Sequence, residues 1–254
     1  MSDAVLQVLL FLVSLIANTF SALAGGGAGL IQFPALIFLG LGFQTALATH
    51  KVASVALGVG ATLRHAREGS LDLRFSLFMI LLGVPGVLLG AAVAVSIPDR
   101  LGQLALGVLT LGLGLYSVVR PELGQIASPR NRDGRGLLIC GVGLFLIGVL
   151  NGSLTSGTGL FVTMLLVQGL GFDYRQAVAH TLVLVGLFWN GSGAIALAWM
   201  SSVQWTWIPA LLLGSLTGGY LGAHLAIVKG NRLVKRSYEI ITITVGLALL
   251  IRAA

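Results

Sequence analysis

Ala24-Gly25-Gly26-Gly27-Ala28-Gly29-Leu30 interrupts apolar sequence near the start of the chain. Asn151-Gly152-Ser153-Leu154-Thr155-Ser156-Gly157-Thr158-Gly159-Leu160 echoes it in the second half. Each glycine weakens a helix by about 1 kcal/mol relative to alanine, so three in succession break it. A break exposed to lipid leaves backbone N–H and C=O groups unsatisfied. It is tolerated at membrane depth only where protein buries it or a watery cavity faces it. Two breaks at matching places in two halves point to a transporter's substrate site.

Composition supports the membrane reading. The chain is 56% hydrophobic and 9% charged, with mean hydropathy +0.99, whereas about a quarter of the residues in a soluble domain are charged. The 36 glycines suit helices packed closely in lipid. The net charge of +7 does not indicate nucleic acid, because the Arg and Lys residues sit in short loops between apolar spans, as the positive-inside rule requires. Cys140 is the only cysteine, which excludes an intramolecular disulfide and argues against a metal cluster. Ser21-Ala22-Leu23-Ala24 resembles a signal-peptidase site, but the residues before it include Asp3 and no Lys or Arg. Residues 4–23 therefore read as a helix of the mature chain.

Apolar segments fall at roughly 4–23, 28–40, 45–66, 74–96 and 101–119, then at 136–151, 159–171, 175–199, 205–228 and 232–252. A spanning helix needs about 20 residues, so 28–40 and 159–171 read as the second arms of re-entrant hairpins tipped by the glycine breaks. Basic residues cluster around Arg64–Arg74, Arg120–Arg135 and Lys229–Arg236. Placing all three clusters in the cytoplasm puts both termini on the non-cytoplasmic side. The halves also match in detail: Gly27 and Gly29 with Gly157 and Gly159, Gly40-Leu41-Gly42-Phe43 with Gly169-Leu170-Gly171-Phe172, and Gly86 and Gly90 with Gly218 and Gly222. A hairpin plus three spans is an odd number of crossings, so the second copy is inverted. The expected fold is an all-α polytopic membrane protein of two inverted repeats, residues 1–120 and 136–254, joined by a cytoplasmic linker at 121–135. Small-xxx-small faces permit a homodimer but serve packing within one chain equally well.

After each hairpin comes a helix with a polar start, Ala48-Thr49-His50-Lys51 and Ala179-His180-Thr181. An ionisable residue inside a membrane is a functional candidate by default, although Lys51 could instead snorkel to the interface along its stem. His50 and His180 occupy related positions and are candidates for proton coupling; packed histidines bonded to backbone carbonyls are the plainer alternative. His224 reads as packing and His65 as a solvated loop residue. Helix N-termini after Gly29 and Gly159 offer N–H groups and partial positive charge to an anion. Ser153, Thr155, Ser156 and Thr158 add donors, as does Asn151; Asn18, Thr19, Ser21 and Gln32 do so less densely in the first half. Asn190, near Gly191 and Gly193, is a further lining candidate. Of the acidic residues only Glu239 lies clearly within a span, where Lys235 and Arg236 could pair with it. A cation carrier would want anionic oxygen ligands, so the site leans towards a small anion, with no metal or cofactor. The expected substrate-binding set is Gly25, Gly26, Gly27, Gly29, Gln32, Thr49, His50, Lys51, Ser153, Thr155, Ser156, Gly157, Thr158, His180, Thr181 and Asn190.

These residues resemble the TauE/SafE sulfite-exporter family of bacterial membrane transporters. The glycine motif ending at Leu30 and followed by Pro34, its copy ending Gly157-Thr158-Gly159-Leu160, and the two polar helix starts look like the family's paired signatures. The likeness covers essentially the whole chain; the second motif departs from it in lacking the proline, with Met164 opposite Pro34. The resemblance implies a bacterial inner-membrane secondary transporter that exports sulfite or small organosulfonates such as sulfoacetate. No Walker A sequence is present, which argues against ATP hydrolysis within this chain. The alternatives are an anion channel, or an intramembrane serine hydrolase using Ser153 or Ser156 with His180 as base.

Overall fold

The computed structural model describes residues 2–66, 68, 71–93, 99–154 and 157–253, and all its regular elements are helical among those residues. They are α1 (Asp3–Ala24), α2 (Ala28–Phe38), α3 (Phe43–His65), α4 (Leu73–Val93), α5 (Asp99–Val119), α6 (Gly134–Ser153), α7 (Thr158–Met164), α8 (Tyr174–His180), α9 (Asn190–Met200), α10 (Ile208–Lys229) and α11 (Asn231–Ala253). A π-helical turn over Leu165–Gly169 extends α7. A second π segment, Thr181–Trp189, joins α8 to α9 in one rod. Among the described residues, six stretches are long and apolar enough to cross a membrane: Asp3–Ala24, Gln44–His65, Leu73–Val93, Gly134–Ser153, Tyr174–Met200 and Trp205–Lys229. The helix α11 is 23 residues long but carries Arg232, Lys235, Arg236 and Glu239 in its first turns.

The glycine run breaks the chain as its composition requires. Gly25, Gly26 and Gly27 have φ of 81°, 150° and 103°, a backbone region that costs a residue bearing a Cβ of the order of 1–2 kcal/mol. Gly25 ends α1 by donating its N–H to Ser21 O, and Gly27 begins α2. In the second half Gly157, φ 75°, begins α7. The arms are unequal. At 1.5 Å per residue, the 22 residues of α1 cover about 33 Å and the 11 residues of α2 about 16 Å, half of a bilayer core of about 30 Å. The first arm thus has the length of a full span, and the second only half of it.

Small residues set the helix crossings. Gly214, Gly218 and Gly222 press α10 on the carbonyls of Phe11, Leu15 and Thr19 in α1, and Gly86 and Gly90 press α4 on those of Phe145 and Val149 in α6. A Cβ on Gly218 would stand 2.6 Å from Leu15 O, so a larger residue would force these helices apart. Gly58 meets Gly186 in the same way, bringing α3 against the second π segment.

The basic segments gather at one end of the bundle. Arg64 at the end of α3 pairs with Glu68 (2.8 Å) and donates from Nε to His224 Nδ1 (3.1 Å). The linker is bolted to the end of the second hairpin. Arg130 Nη2, Asn131 Nδ2 and Arg132 Nε donate to the carbonyls of Val167, Gly169 and Leu170, which π geometry and chain reversal leave free. The Arg132 guanidinium also lies 4.7 Å and 4.9 Å from the Phe75 and Phe172 ring centres. Asn231 Nδ2 donates to Gln125 O, and Arg175 N donates to Asn231 Oδ1, closing the same end. Exposed Trp199 and Trp205 mark the other end, as aromatic side chains do at a membrane interface.

Two expectations change here. His65 is buried, at 2% exposure, because α3 runs on through it instead of fraying into a loop. His224 accepts the Arg64 bond rather than only filling space. The pairing of Glu239 is with Lys235, at 2.7 Å. Ser117 and Tyr174 complete that network, in which the Ser117 hydroxyl donates to Glu239 Oε1 and meets Tyr174 Oη at 2.9 Å.

Candidate functional site

The two glycine breaks meet. A Cβ on Gly26 would lie 2.7 Å from the Gly159 backbone, and one on Gly159 would lie 2.8 Å from Gly25 O. Only glycine on both sides allows this approach. Thr163, one turn into the second hairpin, fastens the contact by donating to Gly25 O at 3.1 Å and meets the Thr181 hydroxyl at 3.1 Å.

Beside this contact is a cavity walled by the glycine backbone of both breaks. Ser21, His50 and Ser54 line it from the first half, and Asn151, Thr158, Thr181 and Asn190 from the second. The centres of water-sized groups have about 40 Å³ there. One water needs roughly 10–15 Å³ by this measure, so the space suits roughly three waters or one compact anion. No carboxylate lines it among the described residues. Ser21 is buried, and its hydroxyl has no hydrogen-bond partner among the described residues. A hydroxyl left so costs about 1–3 kcal/mol unless something in the cavity takes it up.

His50 reaches the cavity from α3 and is held from behind. Its Nδ1 lies 3.2 Å from Gln32 Oε1, and Asn18 Nδ2 donates to that same oxygen at 3.3 Å. Because Oε1 only accepts, Nδ1 carries the proton and Nε2 is the ring atom left to titrate. Gln32 is therefore a support of the wall and does not line the cavity. Thr49 sits further out, where its hydroxyl accepts from Gln204 N and ties α3 to the approach of α10.

Lys51 does not snorkel. It is fully buried, and its ammonium donates to Asn151 Oδ1 at 2.6 Å and Asn190 Oδ1 at 3.1 Å. Asn151 in turn donates from Nδ2 to Thr158 Oγ1 at 2.8 Å. One lysine of the first half thus fixes two amides of the second, and the cavity meets the amides rather than the ammonium.

His180 lies elsewhere. Its Nε2 accepts from Asp72 N at 2.9 Å and its Nδ1 donates to Gln176 O at 2.8 Å, and its ring packs edge-on against Phe172. Ser153 Oγ donates back to Val149 O within α6. Neither group is available to the other as base and nucleophile. Thr155 and Ser156 lie outside the described residues. At the solvent edge, the Arg64 hydrogen bond holds the Glu68 carboxyl below its usual range.

Sequence reasoning named the glycines, His50, Asn151, Thr158, Thr181 and Asn190 among the groups that converge. It missed Ser54 and the π segment, whose Leu182, Val185 and Gly186 form part of the wall. π turns recur at functional sites, but Thr181–Trp189 is a plain apolar run with no local mark of one.

Comparison with known proteins agrees with this architecture. The family profile described as sulfite exporter TauE/SafE matches residues 10–249. A probable membrane transporter protein, ORF9, of a Sinorhizobium species is 30% identical, over 95% of this chain and 91% of its own. A probable membrane transporter protein of Haemophilus influenzae is also 30% identical, over 91% and 89%. Escherichia coli K12 YfcA, another probable membrane transporter protein, is 27% identical, over 95% and 88%. No solved structure matches. The chain belongs to the sulfite exporter TauE/SafE family of membrane transporters.

Proposed function

We propose that this chain is a secondary transporter, working as an exporter, of small sulfur-containing anions such as sulfite or an organosulfonate. The anion binds between the two hairpin tips near the bilayer midplane. The observation that carries this reading is the cavity where the breaks meet, rich in N–H and O–H donors and without a described carboxylate. Such a lining stabilises negative charge and repels no anion. The repeats, 1–120 and 136–254 about the linker 121–135, are taken as inverted copies that rock about this site. Glycine contacts of α10 on α1 and of α4 on α6, at residues that correspond between the halves, support that relation. The basic end is assigned to the cytoplasm, with both termini outside and the bacterial inner membrane as the location. His50, with one ring nitrogen fixed and the other on the cavity, is the proton-coupling candidate; the bonds of His180 argue against a part for it.

The test is transport in proteoliposomes challenged in turn with sulfite, thiosulfate, sulfoacetate, taurine and acetate. A saturable response to the sulfur anions, absent with acetate, is expected. Electroneutral exchange is covered by repeating the assay with labelled anion, and silence in both formats overturns the reading. Flux that does not saturate and ignores a trans gradient would favour a channel. Labelling by a serine-reactive phosphonate, lost in a Ser153→Ala or Ser156→Ala variant, would favour the hydrolase.

A further inference from the structure

Lys51 is a fully buried lysine and expensive to hold in the bundle. An ammonium at membrane depth costs about 2.5–3.5 kcal/mol on insertion scales, and it is retained where it pairs or serves the cavity. Among the described residues no carboxylate stands within ion-pair distance of it. Its described hydrogen-bond partners are two neutral amide oxygens, Asn151 Oδ1 and Asn190 Oδ1. Neither neutralises the charge.

An ammonium has three donors and no acceptor, so both asparagines must turn their oxygens to it and their Nδ2 groups away. For Asn151, Nδ2 then holds Thr158, at the start of α7. Asn190 lines the cavity, and its Nδ2 makes no hydrogen bond among the described residues. It therefore remains as a donor for a ligand.

We infer that Lys51 is a positioning residue and the uncompensated charge of the site. It acts on the anion through Asn151 and Asn190 without touching it. Its ammonium sets the amide orientation in which Asn190 presents N–H rather than C=O to the cavity, while Asn151 spends its Nδ2 on Thr158 and Asn190 Oδ1, and the anion supplies the counter-charge that the protein withholds. This inference rests on the anion-transport reading and assigns the selectivity of that same site. Without the charge Asn190 Oδ1 keeps only the longer 3.4 Å bond from Asn151 Nδ2, and a flip of Asn190 replaces a donor by an acceptor that repels an anion.

The experiment is equilibrium binding of labelled sulfite to the whole protein in nanodiscs, for the wild type and the variants Asn151→Asp and Lys51→Met. Asn151→Asp keeps the tie to Lys51 and strengthens it into an ion pair, but cancels the charge and gives up the Nδ2 donations to Thr158 and Asn190. Lys51→Met keeps the volume and removes the charge. Both are expected to weaken sulfite binding about tenfold or more. If Lys51→Met does not fold, Asn151→Asp carries the test. Wild-type affinity in Asn151→Asp overturns the inference alone, since Lys51 would then only tie helices together. A wild type that binds neither sulfite, thiosulfate nor sulfoacetate overturns the transport reading and this inference with it.

Discussion

His50-Lys51 and His180-Thr181 begin as the same pattern at the same depth of corresponding helices, and they end in different chemistry. His50 is buttressed by Gln32 and faces the cavity. His180 spends both nitrogens on backbone groups, one of them the N–H of Asp72 in another segment. Lys51 brings the charge, whereas Thr181 brings only a hydroxyl shared with Thr163. The helix geometry diverges at the same place: α3 continues as an α-helix to His65, whereas the chain becomes π-helical directly after His180. Similar sequence in the two halves therefore need not give similar surroundings. One half holds the ammonium, and the other holds the two amide oxygens to which it donates.

The largest expected effect falls where the halves touch. Gly26→Val adds a Cβ against the Gly159 backbone at a φ that valine resists. Strain and overpacking cost about 1–3 kcal/mol each, so transport should be lost and the thermal midpoint in detergent should drop clearly. Gly42→Ala, at φ −62° with open space around it, is the control and should stay within about 0.5 kcal/mol of wild type.

Next is the histidine pair itself. His50→Ala should lower sulfite transport about tenfold or more and alter its pH dependence. His180→Ala should leave the pH profile unchanged while destabilising the protein by about 1–3 kcal/mol, since it orphans the Asp72 N–H. Equal transport loss in the two would erase the distinction drawn between them. Full transport in the double variant, with unchanged pH dependence, would remove proton coupling through histidine.

A smaller effect belongs to the linker. Arg132→Ala gives up the Leu170 carbonyl bond and both ring contacts, for about 1–2 kcal/mol, measured as a fall in thermal midpoint. The smallest is Glu68→Gln. The Glu68 carboxyl is depressed by Arg64, so its contribution is present above the ordinary glutamate range and is lost as pH falls through the lowered value. At that exposed position the variant should be indistinguishable from wild type at neutral pH and physiological salt.

Much of the fold was readable from the chain. The glycine runs mark both breaks, and the apolar segments align with the helices to within a few residues. The site was readable in part, because glycine runs and buried polar residues announce a cavity but not who faces it. What separates His50 from His180 is a backbone N–H at Asp72, far away in sequence, which no local pattern encodes. The same holds for Lys51, whose partners Asn151 and Asn190 lie in the other half. The proline difference was visible, yet its consequence was not. Pro34 sits inside a continuous α2, while the second hairpin turns π-helical immediately after Met164.

The central claim is that the cavity at the meeting of the two breaks holds the anion. Ser21, whose buried hydroxyl faces it without a described partner, is the most direct probe. In a Cys140→Ala background, Ser21→Cys should react with a small thiol reagent in the reconstituted protein. Saturating sulfite should slow that reaction severalfold, while acetate should not. Labelling at an unchanged rate, under conditions where the same vesicles transport sulfite, would place the anion elsewhere and contradict the account.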